Sequence, residues 1–134
     1  PFLIGKLRLP ATIGLVLDCT DPQRLAEFWA AVLDRKLDDG ATEDFASLGL
    51  GDDGAGRPHW MFNKVREPKQ VKNRVHVDLI SPTRDQDVKR LLAIGATRIA
   101  DFDEDGSQWT TLADPEGNEF DIVAATGDDS RTNP

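Results

Sequence analysis

Apolar residues follow a helical period in two segments of the chain. In the first segment they form a single stripe, which consists of Leu25, Phe28, Trp29, Val32 and Leu33. A stripe of this kind needs a sheet to cover it. Asp21 and Pro22 precede this stripe, in the places of an N-cap acceptor and a first-turn proline. The second segment begins at Thr83, with Gln86 placed as in a capping box, and we expect Gly95 to end it as a left-handed cap. The pattern therefore predicts two amphipathic helices, with Trp29 in the core.

The chain also contains two similar halves. Each half opens with an extended apolar stretch, continues with one of the helices and closes with a strand that contains phenylalanine, from Ile13 to Val65 and again from Val75 to Val123. The closing segments match best when Phe62 is aligned with Phe120, and we place both phenylalanines in the core. Two copies of one unit tend to face each other, and the surface between them is a natural ligand site.

Polar segments that contain glycine and proline divide the chain. We predict an N-terminal arm over 1–11, a first module over 12–66, a linker over 67–73, a second module over 74–125 and a disordered tail over 126–134. The arm is apolar enough to pack, and the sequence leaves open whether it is an ordered strand. Asp105-Gly106 suits a tight hairpin, and Asp114-Pro115-Glu116-Gly117-Asn118 is typical of a turn that leads into the last strand.

The strands carry isolated polar side chains on a face that also holds apolar ones. Because side chains alternate between the two faces of a strand, His76, Asp78 and Ile80 share one face. The same alternation groups residues in three other strands: Glu119, Asp121 and Val123; Met61, Asn63 and Val65; and Gly14, Val16 and Asp18. A face of this mixed composition is typical of a cavity for a small molecule rather than of a solvated surface.

Composition narrows the choice of partner and compartment. The 134 residues carry a net charge of −8, which disfavours nucleic acid and membranes and favours a neutral or cationic ligand, unless the acidity serves solubility alone. No apolar run is long enough to cross a membrane, and the first residues lack the pattern of a secretory signal. Cys19, the single cysteine, is expected to be a buried thiol in a reducing compartment. We therefore expect a cytoplasmic protein.

Five segments carry a family resemblance: Leu15–Pro22, Leu25–Leu33, Arg74–Leu79, Leu92–Thr97 and Asp114–Phe120. From Thr12 to Ala125 the chain resembles the vicinal-oxygen-chelate superfamily, which holds glyoxalases, extradiol dioxygenases and bleomycin-resistance proteins, and most of all its small bacterial glyoxalase-like domain members. The resemblance implies an α+β fold of two β-α-β-β-β modules. Their curved mixed sheets would surround a shared cavity, with the helices on the outer faces.

The resemblance also implies four positions that ligate a divalent ion in metal-dependent relatives. In this sequence they fall at Gly14, Asn63, His76 and Asp121. Only His76 and Asp121 are strong ligands, because glycine has no side chain and an amide is a weak donor. Such a set would hold zinc, nickel, iron or manganese weakly, unless Asp78 or Glu119 joins it or a second chain contributes. We therefore expect a degenerate metal site and assign no cofactor, with a divalent ion as the alternative.

We place the ligand-binding site around His76 and Asp121. The other candidates are the side chains expected near them, namely Asp18, Met61, Asn63, Asp78, Trp60 and Trp109. The two tryptophans lie near turns, so the alternation leaves open whether each lines the cavity or fills the core. His76 is either a ligand-binding or catalytic residue or a half-buried histidine bonded to Asp78 or Asp121.

Two classes of function remain. The first is a binding module that sequesters or carries a partly apolar, neutral or cationic small molecule, with tryptophans stacking on the ligand and carboxylates holding its cationic groups. The second is a divalent-metal-dependent lyase, isomerase or dioxygenase, in which His76 is a general base or an ion ligand and Asp121 orients it. Members of the superfamily often pair, so the resemblance also implies a homodimer.

Overall fold

The chain forms nine regular elements in the computed structural model, which describes residues 13–51 and 57–125. In chain order they are β1 (Gly14–Cys19), α1 (Pro22–Leu33), β2 (Phe45–Leu48), β3 (His59–Lys64), β4 (Asp78–Ser81), α2 (Arg84–Ala93), β5 (Thr97–Glu104), β6 (Ser107–Ala113) and β7 (Glu119–Ala124). The predicted arm over 1–11 and tail over 126–134 lie outside the described residues. The chain divides into two compact units, Pro1–Arg66 and Glu67–Pro134. Among the described helices, none is long and apolar enough to span a membrane.

A three-stranded mixed sheet and one helix build the first unit. The strands lie in the order β1-β3-β2, with β1 parallel and β2 antiparallel to β3. Helix α1 begins after its predicted N-cap, Asp21, and covers one face of the sheet. On that face the rings of Trp29 and Trp60 stack with their centroids 4.7 Å apart, and Phe62 is fully buried. The predicted core positions of Trp29 and Phe62 are confirmed, and Cys19 is buried as expected.

A four-stranded mixed sheet and the second helix build the second unit. Its strands lie in the order β4-β7-β6-β5, with β4 parallel to β7 and the other neighbours antiparallel. Helix α2 packs on β7 and β4, and the buried side chains include Val88, Leu91, Leu112, Phe120 and Ile122. Asp105 and Gly106, with φ of 52° and 81°, form the predicted tight hairpin between β5 and β6. The predicted α+β class is confirmed, as is the core position of Phe120.

The first unit has one strand fewer than the predicted β-α-β-β-β order among its described residues. The segment between α1 and β2 is polar, and the carboxylate of Asp38 accepts hydrogen bonds from the hydroxyl of Ser47 and the amides of Gly49 and Leu50. The amide of Asp38 also donates to the carbonyl of Ser47 at 3.0 Å. The Asp38 side chain and backbone together therefore tie this segment to β2 and to the residues that follow it, although the segment forms no regular strand.

The two ends of α2 compare differently with the prediction. The N-terminal end differs from it, and the C-terminal end agrees with it. Thr83 precedes the helix but makes no side-chain cap bond, so the predicted capping box with Gln86 is wrong. The hydroxyls of Ser81 and Thr83 instead donate to the carboxylate of Asp87 in the first turn. At the other end Gly95 has the predicted left-handed conformation, with a φ of 124°.

A buried carboxylate holds the turn before β7. Asp114 is 3% exposed, and its Oδ1 accepts hydrogen bonds from the amides of Glu116 and Asn118 at 2.9 and 3.0 Å. The side-chain amide of Asn118 donates to the same carboxylate. Gly117 has a φ of 89°, a conformation in which a side chain would be strained. The predicted turn is confirmed, and it fixes the start of the strand that carries Asp121.

Replacing Asp114 with alanine should lower the free energy of unfolding by about 2–3 kcal/mol, because the partly buried amides of Glu116 and Asn118 lose a charged acceptor. Urea denaturation followed by circular dichroism measures this change. Asp39→Ala is the matched control, since Asp39 is exposed, and it should shift stability by less than about 0.5 kcal/mol. Equal effects of the two substitutions would contradict a special role of the Asp114 carboxylate.

Candidate functional site

Three side chains converge on the face of the second sheet opposite α2. Asp78 of β4 and Asp121 of β7 are paired residues of neighbouring parallel strands, so their side chains project side by side. His76 lies two residues before Asp78, and its Nε2 is 3.3 Å from Oδ1 of Asp78 and 3.3 Å from Oδ2 of Asp121. One donor atom from each residue lies within 4.8 Å of the others. We call these three residues the His-Asp-Asp cluster.

The two carboxylates of the cluster differ in their surroundings. The side chain of Asp121 is 14% exposed, whereas that of Asp78 is half exposed. Burial raises the pKa of Asp121, although the hydrogen bond from the Thr111 hydroxyl at 2.6 Å and the nearby His76 oppose this change. The negative charge of Asp78 acts in the same direction as burial. A cation or a hydrogen-bond donor placed against the cluster would relieve both penalties on the ionised Asp121.

Glu119 lies on the same face but is engaged elsewhere. Lys72 forms an ion pair with its carboxylate at 2.6 Å, and this hydrogen bond lowers the pKa of Glu119. The side chain of Asn73 donates to the Glu119 carbonyl, and the amide of Asp121 donates to the carbonyl of Val77 at 2.9 Å, so side-chain and backbone bonds both anchor the segment before β4. The regular strand begins at Asp78 rather than at Val75, which is 78% exposed. Of the two carboxylates that the sequence offered as additional ligands, Asp78 joins His76 and Asp121.

A row of apolar side chains crosses the second sheet next to the cluster. Strand pairing aligns four residues on the same face, namely Ile80 of β4, Val123 of β7, Trp109 of β6 and Phe102 of β5. The rings of Phe102 and Trp109 stack with their centroids 5.0 Å apart and their planes 15° apart. The apolar row lies two residues along the strands from Asp78 and Asp121. Trp109 therefore lies on the helix-free face that carries the cluster. This is one of the two alternatives that the sequence left open for it.

The remaining candidate residues belong to the first unit. Asp18 of β1 pairs with Asn63 of β3, and Met61 lies two residues before Asn63 on the face opposite α1. Trp60 points to the other face of β3, where it is 3% exposed and stacks on Trp29. The prediction that Trp60 lines a ligand-binding face is therefore wrong. The alternation along β3 separates Trp60 from Met61 but does not say which of the two is buried. The packing of α1, whose Trp29 stacks on Trp60, decides this.

Comparison with known proteins gives the family. Residues 14–123 match the family model described as a glyoxalase-like domain. The chain belongs to the glyoxalase-like domain family. No curated protein matches this glyoxalase-like domain significantly.

Solved structures similar to this glyoxalase-like domain share its fold. A glyoxalase/bleomycin resistance/dioxygenase family enzyme from Burkholderia phytofirmans has a TM-score of 0.67 and 20% identity, over 87% of this chain and 98% of that one. A fosfomycin resistance protein from Mesorhizobium loti has a TM-score of 0.64 and 11% identity, over 88% and 94% of the chains. The bleomycin-binding protein of Streptomyces verticillus, solved with copper(II)-bleomycin, has a TM-score of 0.58 and 16% identity, over 89% and 98%.

Backbone bonds correct the alignment of the two halves of the glyoxalase-like domain. The amide of Val65 donates to the carbonyl of Cys19, and the amide of Ala125 donates to the carbonyl of Ser81, at 2.7 and 2.8 Å. These bonds occupy the same place in the two units. Counting back along the strands, Met61 rather than Asn63 then corresponds to Asp121, while Gly14 corresponds to His76. The expected metal-ligand position at Asn63 is therefore wrong by two residues.

His59 is a residue of this face that the sequence pattern did not single out. It lies two residues before Met61 on the same face of β3, and it pairs with Gly14 of β1. The alternation that grouped Met61 with Asn63 extends to His59, so period two was the signal that could have found it. The chain has only two histidines, and the other is His76 of the cluster.

The His-Asp-Asp cluster has a donor set that fits a divalent cation. One imidazole nitrogen and two carboxylate oxygens within 4.8 Å of one another suit manganese, iron or zinc and leave coordination positions open. All three donors come from the second unit. Their counterparts in the first unit are Gly14, Val16 and Met61, which offer no oxygen or nitrogen side-chain ligand.

Asp121→Asn should make the protein increasingly more stable than the wild type as pH rises above the ordinary aspartate pKa of 3.8. The pKa of Asp121 is raised in the folded state, so above 3.8 the folded state binds a proton that the unfolded state releases, and wild-type stability falls with pH. Thermal denaturation from pH 3 to 7 with a chelator present measures this difference. Asp39→Asn serves as the control and should show no such trend, and a difference that shrinks with pH would contradict the assignment.

Proposed function

We propose that this glyoxalase-like domain binds a partly apolar, neutral or cationic small molecule on the helix-free face of its second sheet. The observation that carries this proposal is the position of the His-Asp-Asp cluster beside the apolar row. Polar groups that converge next to an apolar surface are the usual composition of a small-molecule site. The ligand is sequestered or carried without a chemical change.

The cluster end of the site recognises a hydrogen-bond donor or a positive charge. Asp78 and Asp121 present two carboxylates to one point, and His76 completes the group. The net charge of −8 over the chain adds a long-range preference for cations over anions. An anionic ligand would meet repulsion at the same place.

The apolar row receives the flat part of the ligand. Trp109 and Phe102 are stacked on each other and partly exposed, so an aromatic ring can contact them without displacing a core residue. Ile80 and Val123 extend this surface toward β4. The small molecules named for the bleomycin-binding and fosfomycin resistance relatives support a role in ligand binding. From the resemblance to the superfamily, whose members often pair, we propose a homodimer, which a solution size measurement tests.

A second candidate function is divalent-metal-dependent catalysis as a lyase, isomerase or dioxygenase. The donor atoms of His76, Asp78 and Asp121, all within 4.8 Å, favour it. A bound ion would polarise an oxygen of the substrate there. Thr111 would hold Asp121 in place through its hydroxyl, and the apolar row would orient the substrate.

Binding of proflavine, a planar aromatic cation, tests the proposed site. Trp109→Ala should raise its dissociation constant by about tenfold, because one stacking partner is lost. Asp78→Asn combined with Asp121→Asn should weaken binding by at least about tenfold, because the positive charge loses its partners. Phe45→Ala is the control, since Phe45 pairs with Asn63 on the first sheet and should leave binding unchanged. Fluorescence titration measures each constant, and wild-type affinity in the Trp109 and aspartate variants would reject the site.

Metal analysis separates the two candidate functions. The protein purified without added metal is measured by elemental analysis and by thermal shift with manganese, iron, nickel and zinc ions. Stoichiometric metal and a large stabilisation that His76→Ala abolishes would favour the enzyme. Absence of both, together with proflavine binding, would favour the binding module.

A further inference from the structure

The face that carries the His-Asp-Asp cluster continues past it toward the start of β7. Glu119, Asp121 and Val123 lie on this face of β7, and each is about 7 Å from the next along the strand. Val123 belongs to the apolar row and Asp121 to the cluster. Glu119 is therefore the next residue of the face on the side of the cluster away from the apolar row.

Two lysines lie at this third position. Nζ of Lys72 donates to Oε1 of Glu119 at 2.6 Å, and the side-chain amide of Asn73 donates to the Glu119 carbonyl at 3.0 Å. Lys69 is close to the same end of β7, since its Cδ lies 3.9 Å from the point that a Cβ atom on Gly117 would occupy. The segment before β4 thus brings both lysines to the start of β7. We call Lys69, Lys72 and Glu119 the lysine end of the face.

The lysine end has the opposite charge from the cluster. The hydrogen bond from Lys72 is the main cause that lowers the pKa of Glu119, and the positive charges of Lys72, Lys69 and His76 act in the same direction against partial burial. Two ammonium groups beside one carboxylate leave an excess of one positive charge, in a chain whose net charge is −8. The cluster presents two carboxylates instead. The charge of the face therefore changes sign within one step of two residues.

Lys72 is able to bind a further acidic group. An ammonium group has three donors, and the bond to Glu119 uses one of them. The Lys72 side chain is 72% exposed, so a ligand reaches it without displacing a core residue. Because an ion pair this exposed contributes little to stability, a ligand carboxylate can share the ammonium with Glu119 at small cost.

We propose that the ligand of this face is an aromatic zwitterion, whose ring lies on the apolar row, whose ammonium faces the His-Asp-Asp cluster and whose carboxylate binds Lys72. The inference rests on the proposed function and names its ligand class, of which an aromatic amino acid is the simplest member. Lys72 is a specificity-determining residue, because a simple cation leaves it unused.

The spacing of the face agrees with this ligand class. An amino acid carries its ammonium and its carboxylate on one carbon atom, so the two charges face adjacent surfaces. A charge-assisted hydrogen bond of about 2.8 Å on each side of that carbon spans most of the step from Asp121 to Glu119. The ring, on the next carbon, then lies toward Val123 and its pairing partner Trp109.

Three indole compounds test the order of the groups. Tryptophan has the ring, the ammonium and the carboxylate, tryptamine lacks only the carboxylate, and 3-indolepropionate lacks only the ammonium. Isothermal titration calorimetry of the wild type should give tryptophan a dissociation constant on the order of millimolar. Tryptamine should bind about three- to fivefold more weakly because Lys72 has no partner in it. 3-Indolepropionate should bind most weakly, because the cluster has no ammonium to hold.

A lysine substitution and a matched control test the role of Lys72. Lys72→Met keeps the length of the side chain and removes its charge, so it should bring tryptophan to the affinity of tryptamine. Lys89→Met removes the same charge from an exposed position of α2, which packs on the other face of the sheet. This control should keep the three- to fivefold preference for tryptophan.

Fluorine NMR tests where the ring lies. In protein labelled with 5-fluorotryptophan, unlabelled tryptophan should shift the ¹⁹F resonance of Trp109 saturably, and Trp109→Phe assigns that resonance. The resonances of Trp29 and Trp60, which are 2% and 3% exposed, should shift far less.

The outcomes separate this inference from the proposed function. Equal affinities for tryptophan and tryptamine in the wild type, or an unchanged preference in folded Lys72→Met, overturn the inference, while binding of proflavine and tryptamine still supports the proposed function. 3-Indolepropionate that binds as tightly as tryptophan also overturns it, since the ammonium would then not face the cluster. Absence of binding for proflavine and all three indoles rejects the proposed function and the inference with it. Circular dichroism establishes that each variant is folded.

Discussion

Parallel pairing between the first and the last strand of each unit is the constraint on which the candidate site depends. In the second unit it brings β4 and β7, which are separated by a helix and two strands in sequence, into adjacent positions. Asp78 and Asp121 become neighbours only through this pairing, and His76 reaches both because it lies on the same face. The buried Asp114 turn fixes where β7 starts after β6, and the pairing of β7 with β4 then places Asp121 opposite Asp78.

The two units carry different chemistry on the same frame. Where the second unit presents His76, Asp78 and Asp121, the first presents Gly14, Val16 and Met61 at corresponding places. The proposed recognition of a cation therefore depends on the second unit. The first unit holds a single imidazole, which comes from the neighbouring strand rather than from β1. Equivalent backbones thus carry different side chains in the two units.

The candidate site also lowers the stability of the fold. Ionised Asp121 is mostly buried and has Asp78 beside it, and both features disfavour its charge. The Thr111 hydroxyl and His76 offset part of this cost. Side chains that bind a ligand must keep some polar capacity unmet, and the surrounding core of Phe120, Ile122 and Leu112 makes this tolerable.

The sequence by itself determined the local features: both helices, the Asp21 cap, the Gly95 end, the hairpin at Asp105 and the Asp114 turn. Each of these depends on residues close together in the chain, and so does the alternation that put His76, Asp78 and Ile80 on one face. Only the tertiary structure decided the offset of two residues between the closing strands, the burial of Trp60 and the engagement of Glu119 by Lys72. These features depend on hydrogen bonds and packing between distant segments. Alternation alone fixes which residues share a face of a strand. It does not fix which face is covered or which residues of other segments become partners.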